Sequence, residues 1–161
     1  MRHIIYVALG SNLGNTAQNL DCAIESLQDN DCTLLRCSSY IETAPEGFHS
    51  DHTFLNAAAM FETRLTPQQL LRVTQQIERD MGRDHKSVNG QYEDRIIDID
   101  LLLFDDWTIS TPTLTLPHPR MHLRRFVLKP LSEIAPDLII PTLNISVAEQ
   151  LNNLADADYH D

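Results

Sequence analysis

Cysteine is scarce in this chain, and what there is does not pair. Three residues, Cys22, Cys32 and Cys37, stand among 161. The number is odd and no C-x-x-C pair occurs, which argues against a disulfide framework or a thiolate zinc site and for reduced thiols. Long hydrophobic runs are missing too. The apolar stretch Ile4–Leu9 is too short for a signal-peptide core and far short of a bilayer span, so a soluble cytoplasmic protein is expected. Positive charge is in deficit: 12 Lys and Arg against 23 Asp and Glu leave a net charge of −11. That balance argues against non-specific binding to nucleic acid or to an anionic membrane. Neither glycine signature of nucleotide binding is present. There is no G-x-x-x-x-G-K-[ST] loop, and Gly10-Ser11-Asn12-Leu13-Gly14 is not a G-x-G-x-x-G turn. Any phosphate site must be built mainly from side chains and metal ions.

What is present is a globular pattern. Hydrophobic residues make up 42% of the chain, no segment is low in complexity, and no linker or repeat divides it, so residues 1–161 are expected to form one domain. His3–Gly10 reads as a buried strand. Leu20, Ala23, Ile24 and Leu27 recur at helical spacing and predict a helix. Strands are expected around Thr33–Thr43 and Phe54–Thr63. Thr66, Pro67 and Gln69 then form a helix-start signature, followed by the stripe Leu70, Val73, Ile77, Met81 and a stop at Gly82. A polar loop, Arg83–Asp94, leads to a strand at Arg95–Phe104. Leu116-Pro117-His118-Pro119 is expected to be extended, with helices around Leu123–Ile134 and Val147–Leu154. Strand–helix–strand–strand–helix–strand is the order of an α+β, ferredoxin-like αβα sandwich with a mainly antiparallel central sheet.

Two features carry chemistry. Seven of the 12 basic residues fall between Arg83 and Lys129, with His85, His118 and His122 in the same stretch; this suggests a compact anion site, the alternative being a cationic surface patch. Within it, Asp98 and Asp100 alternate with Ile97, Ile99, Leu101 and Leu103. Strand geometry turns both aspartates to one face and the aliphatics to the other, and the continuity of the apolar run suggests a central strand. Two carboxylates so placed repel each other unless something positive neutralises them. Hard oxygen donors without cysteine suit magnesium, which takes one or two carboxylates plus phosphate oxygens. Otherwise the pair sits at a solvated strand end or binds arginines. Arginine matches phosphate oxygens with its planar fork. No Ser-His-Asp or Cys-His arrangement competes, so direct phosphoryl-type transfer is implied.

The ordered set Gly10-Ser11-Asn12, Glu78…Gly82-Arg83, Arg95–Phe104, Leu116-Pro117-His118-Pro119-Arg120 and Arg124–Leu131 resembles the dihydropterin pyrophosphokinases over essentially the whole chain. The resemblance implies an enzyme that binds ATP with two Mg²⁺ ions, then 6-hydroxymethyl-7,8-dihydropterin, and releases AMP. It implies Asp98 and Asp100 as metal ligands, and Arg83 and Arg95 as catalytic arginines. Glu78, Thr115, His118 and Arg124 join those arginines at the ATP site. Thr43, Phe54, Asn56 and Phe126 fall on the pterin site, where the two rings can stack on a flat heterocycle and Asn56 can offer a donor and an acceptor. The chain departs from the commoner pattern at Tyr92, Glu93 and Asp94 in the loop, at Thr113, often arginine, and at Glu46, often leucine. Two other readings stand beside this one: a non-catalytic nucleotide-binding module, and a metal-dependent phosphohydrolase with water as its nucleophile.

Overall fold

Alternation along the first strand sets the layering. In β1 (His3–Ser11), Ile5, Val7 and Leu9 point to one side of the sheet, and Tyr6 and Ala8 to the other. The computed structural model describes residues 1–43, 53–82 and 95–158. On the first side lie α1 (Thr16–Gln28) and α2 (Pro67–Asp80). They close a core with Leu20, Leu27, Leu70, Ile77 and the fully buried Phe61. On the second side α3 (Arg125–Ile134) and α4 (Val147–Asp158) pack Val127, Leu128, Leu131 and Val147 over Tyr6, Ala58 and Leu102. No helix of the described residues is long and apolar enough to cross a membrane.

The central sheet runs β2 (Cys32–Cys37), β4 (Phe54–Thr63), β1, β5 (Asp98–Phe104), with β3 (Ile41–Thr43) also on β4, and every pairing is antiparallel. With two helices on the first face, this is the expected ferredoxin-like sandwich, and α3 and α4 add the third layer. Local signals placed the helices well. Asn15 Oδ1 caps α1 by accepting from the Gln18 N–H. At α2 the Gln69 N–H donates to Thr66 Oγ1 at 3.2 Å while Thr66 N–H donates to Gln69 Oε1 at 2.9 Å. Gly82 ends the helix at φ +105, a conformation other residues adopt only under strain.

Four expectations need correction. The strand expected over Thr33–Thr43 breaks in two, because Ser38 Oγ takes the Ala58 N–H at 2.9 Å and diverts the chain between its pairings with β4. The strand expected from Arg95 begins at Asp98. The late helix starts at Arg125, after a 3₁₀ turn at Met121–Leu123. And β5 is an edge strand, not a central one. Its aliphatic richness comes from being covered on both faces, and its outer edge is shielded: Glu78 Oε2 accepts from Ile99 N–H at 2.8 Å, and His118 N–H donates to Leu102 O at 2.9 Å. A shift of register against β1 after Leu101 also turns Leu103 to the α3 side, opposite to strict alternation. The Leu116–Pro117 peptide is cis. Short hairpins at β6 (Ile109–Ser110) with β7 (Thr115–Leu116), and β8 (Ile139–Ile140) with β9 (Ile145–Ser146), complete the description.

Candidate active site

Small residues on the central strand open the site. On the α3 side of the sheet, β1 presents Ala8 and Gly10. Gly10 lies between Asn56 of β4 and Asp98 of β5, and Ala8 is paired with Asp100. The result is a trough with Ala8 and Gly10 as its floor, the β4 side chains Phe54 and Asn56 on one flank and the two carboxylates on the other. Thr43, Arg95, Arg124 and Phe126 complete its lining. A Cβ on Gly10 would come within 3.4 Å of Asn56 Oδ1 and 3.7 Å of Phe54 Cδ1, so the absent side chain is what leaves the trough open. Gly10 reads in sequence as the start of a turn; the signal that could have placed it is the small-residue alternation Ala8-x-Gly10.

The flanks differ in character. Asn56 is 5% exposed, and its Nδ2 donates to Thr43 Oγ1 at 2.7 Å and, at 3.4 Å, to Ile41 O. The Ile41 carbonyl can only accept, which fixes the amide orientation and leaves Oδ1 beside Gly10. The Arg124 guanidinium carbon stands 5.5 Å from the centre of the Phe126 ring, a cation–π contact that holds both against the trough.

Opposite them, Asp98 pairs with Arg95, Nη1 to Oδ1 3.1 Å. At Asp100, burial first, then Asp98, then Glu78 hold the carboxyl well above the usual range; Arg95 pulls the other way, and a side-chain hydrogen bond with Asp98 adds to the rise. This is the repulsion anticipated from the spacing. Arginine answers part of it at Asp98; at Asp100 the charged form stays disfavoured, and a cation at the pair would favour it.

A second cleft runs along the outer edge of β5. Leu71, Ile99, Leu101 and Leu114 give it an apolar side, and Thr111, Thr113, Thr115 and His118 a polar one. His118 Nδ1 accepts from the Arg120 N–H at 3.1 Å, so the ring proton sits on Nε2, and burial pushes its pKa down. Asp100 belongs to the walls of both clefts.

The expected residues therefore divide in a regular way. Thr43, Phe54, Asn56, Arg95, Asp98, Asp100, Arg124 and Phe126 meet in the first cleft, and Thr115, His118 and Asp100 in the second. Arg95 and Arg124, both expected with the nucleotide, lie in the first cleft with the residues expected at the pterin. Glu78 lines neither cleft; its carboxylate secures the β5 edge and adds negative charge next to Asp100. Arg83 and the departures at Glu46, Tyr92, Glu93 and Asp94 lie outside the described residues.

Paired carboxylates on the edge strand of a ferredoxin-like sheet, with Asp100 in the wall of both clefts, define a candidate enzyme site. The chain belongs to the 7,8-dihydro-6-hydroxymethylpterin-pyrophosphokinase family, whose model matches residues 6–136. It is 48% identical over 134 residues to the 2-amino-4-hydroxy-6-hydroxymethyldihydropteridine pyrophosphokinase of Porphyromonas gingivalis, covering 83% of this chain and 91% of that protein. It is 40% identical over 152 residues to the folic acid synthesis protein FOL1 of Dictyostelium discoideum, covering 94% of this chain but 22% of that one. Among solved structures, the Plasmodium falciparum HPPK-DHPS in complex with SDX-DHP superposes with a TM-score of 0.79 at 16% identity. It covers 100% of this chain and 46% of that one, and shows the fold alone.

Proposed function

We propose that the two clefts are the substrate sites of a pyrophosphoryl transfer in folate biosynthesis, from ATP to the hydroxymethyl group of 6-hydroxymethyl-7,8-dihydropterin, served by Mg²⁺. The observation that carries this reading is the position of Asp100 in the wall between the clefts. A nucleoside in the second cleft, with its base against Leu71, Ile99, Leu101 and Leu114, would send its phosphates across Asp100 toward Arg95. A flat ring in the first cleft would lie between Phe54 and Phe126, with the Asn56 Oδ1 accepting from its N–H edge. The reaction then forms a bond from the hydroxymethyl oxygen to the β-phosphorus, with loss of the hydroxyl proton. It breaks the bond from that phosphorus to the oxygen bridging it to the α-phosphorus, so that AMP leaves with the bridging oxygen.

The residues fit a hard divalent cation. Asp98 and Asp100 are oxygen donors on one strand face, and the causes that raise the Asp100 pKa, burial and neighbouring carboxylates, are ones a bound cation would counter. Among the described residues no third His, Cys, Asp or Glu joins them, as suits an ion that completes its coordination with phosphate oxygens and water; two ions are expected with ATP. When bound, Mg²⁺ would neutralise the triphosphate and the charge that develops during transfer.

The protein's own contribution is positioning and charge. Arg95 is 7% exposed, and a guanidinium held in so dry a place stabilises developing negative charge more than one in water. Neutral His118, with its proton on Nε2, donates to a phosphate oxygen without adding charge. Arg83 is assigned to the same triphosphate by the resemblance. The reading treats residues 1–161 as one domain working in the cytoplasm, without nucleic-acid or membrane partners.

The test is AMP formation from ATP, Mg²⁺ and the pterin, with each omitted in turn. AMP that requires all three supports the transfer. Phosphate release from ATP without pterin would favour a hydrolase, and nucleotide binding without turnover a binding module.

A further inference from the structure

Arg95 does not stand where strand geometry would put it. Side chains alternate along β5, with Asp98 and Asp100 toward the trough and Ile97, Ile99 and Leu101 toward α1 and α2. An unbroken strand would send residue 95, an odd number of positions from Asp98, to the α1–α2 face. Its guanidinium nevertheless reaches Asp98 at 3.1 Å and lines the trough. The backbone must therefore leave the strand between 95 and 97, and something must hold it there.

The holding group is Asn12. The ladder between β1 and β5 ends at the pair Gly10 and Asp98, and extending its register would set Asn12 opposite Ile96. Instead Asn12 engages Arg95 twice. Its backbone N–H donates to Arg95 O at 3.0 Å, and its side-chain Oδ1 accepts from the Arg95 N–H at 2.7 Å. The amide side chain takes the place of the main-chain carbonyl that an ordinary ladder would supply, and so registers β1 against residue 95 rather than 96. Asn12 is 2% exposed, so water does not replace the bond when the acceptor is removed.

We infer that Asn12 is a positioning residue for the pyrophosphoryl transfer, acting by fixing the backbone of Arg95 so that its guanidinium faces the carboxylates rather than the α1–α2 core. The inference rests on the functional reading above. The effect of Asn12 on turnover is carried through Arg95, and a double-mutant cycle isolates that route. Asn12→Ala should lower kcat by about 10- to 100-fold, as misplacement of a group by about an ångström does, with the KM for ATP changed by less than about threefold. In an Arg95→Ala background the same substitution should change kcat by less than about twofold, because there is no guanidinium left to place. Asn12→Asp, which keeps an acceptor for the Arg95 N–H, should recover most of the rate. Should Asn12→Ala fail to fold, Asn12→Ser, too short to make the bond, takes its place in the cycle. Effects of Asn12 and Arg95 that multiply in an active enzyme, or an Asn12→Asp no better than Asn12→Ala, would overturn the inference alone. A wild-type protein that makes no AMP would overturn the functional reading and the inference with it.

Discussion

Replacing Asp100 by asparagine should stabilise the protein free of metal and substrates while it abolishes turnover. The contact between the two carboxyl groups gives the size of the effect. Asp98 and Asp100 are close enough for their side chains to hydrogen-bond, and two unit charges about 4 Å apart repel by about 4 kcal/mol at an effective dielectric near 20. Burial and the Glu78 carboxylate add to the penalty, and Arg95 takes part of it away. A net gain of about 1–2 kcal/mol for the neutral side chain follows at pH 7, or a Tm about 2–8 °C higher for a domain of this size. The pH dependence has a definite sign. A carboxyl whose pKa is raised by folding binds more protons folded than unfolded between the two values, so its penalty is full above the folded pKa and fades as pH falls through it. The advantage of Asp100→Asn should therefore be largest near pH 8 and shrink on acidification. Calorimetry of both proteins in EDTA from pH 5 to 8 measures it. An asparagine variant no more stable than wild type at pH 8, or an advantage that grows as pH falls, would refute the reasoning.

Three further outcomes follow from named contacts. Thr66→Ala removes the side-chain half of the α2 capping box and should cost about 1 kcal/mol, a Tm about 2–4 °C lower, with kcat unchanged; unaltered melting would mean the cap contributes nothing. Gly10→Ala places a methyl against Asn56 and Phe54; titration should show weaker pterin binding with ATP binding preserved, and the reverse would mean the trough is not the pterin site. Because burial lowers the His118 pKa and Nδ1 accepts from Arg120, ¹⁵N NMR at pH 6.5 should show a neutral ring protonated at Nε2; a charged ring or the Nδ1–H tautomer would contradict its role as a neutral donor.

What could be read in the sequence was what depends on local rules. The α2 cap is written in Thr66, Pro67 and Gln69, and the shared face of Asp98 and Asp100 needs only a two-residue period. The antiparallel sandwich follows from the order of elements, and the agreement of Phe54, Asn56 and Phe126 on one cleft from an ordered set of motifs. What could not be read depends on non-local partners. Nothing in the β5 sequence says that Glu78 and His118 would serve its outer edge in place of another strand, so a fully covered edge looked like a centre. Periodicity also hid the departure at Arg95, which Asn12 creates from far along the chain. Gly10 was legible as a glycine but not as a floor, because its space is defined by Phe54 and Asn56 on a different strand. The hairpins β6–β7 and β8–β9 have two-residue strands, too short to show any period.

The central claim is that the trough and the edge cleft meet at Asp100 to move a two-phosphorus unit. ³¹P NMR of a reaction containing ATP, Mg²⁺ and 6-hydroxymethyl-7,8-dihydropterin tests it most directly. Equal amounts of AMP and of a pterin product with two coupled phosphorus resonances are expected, both lost in Asp98→Ala and Asp100→Ala. A product carrying one phosphorus with ADP beside it, or full product formation by either aspartate variant, would contradict it.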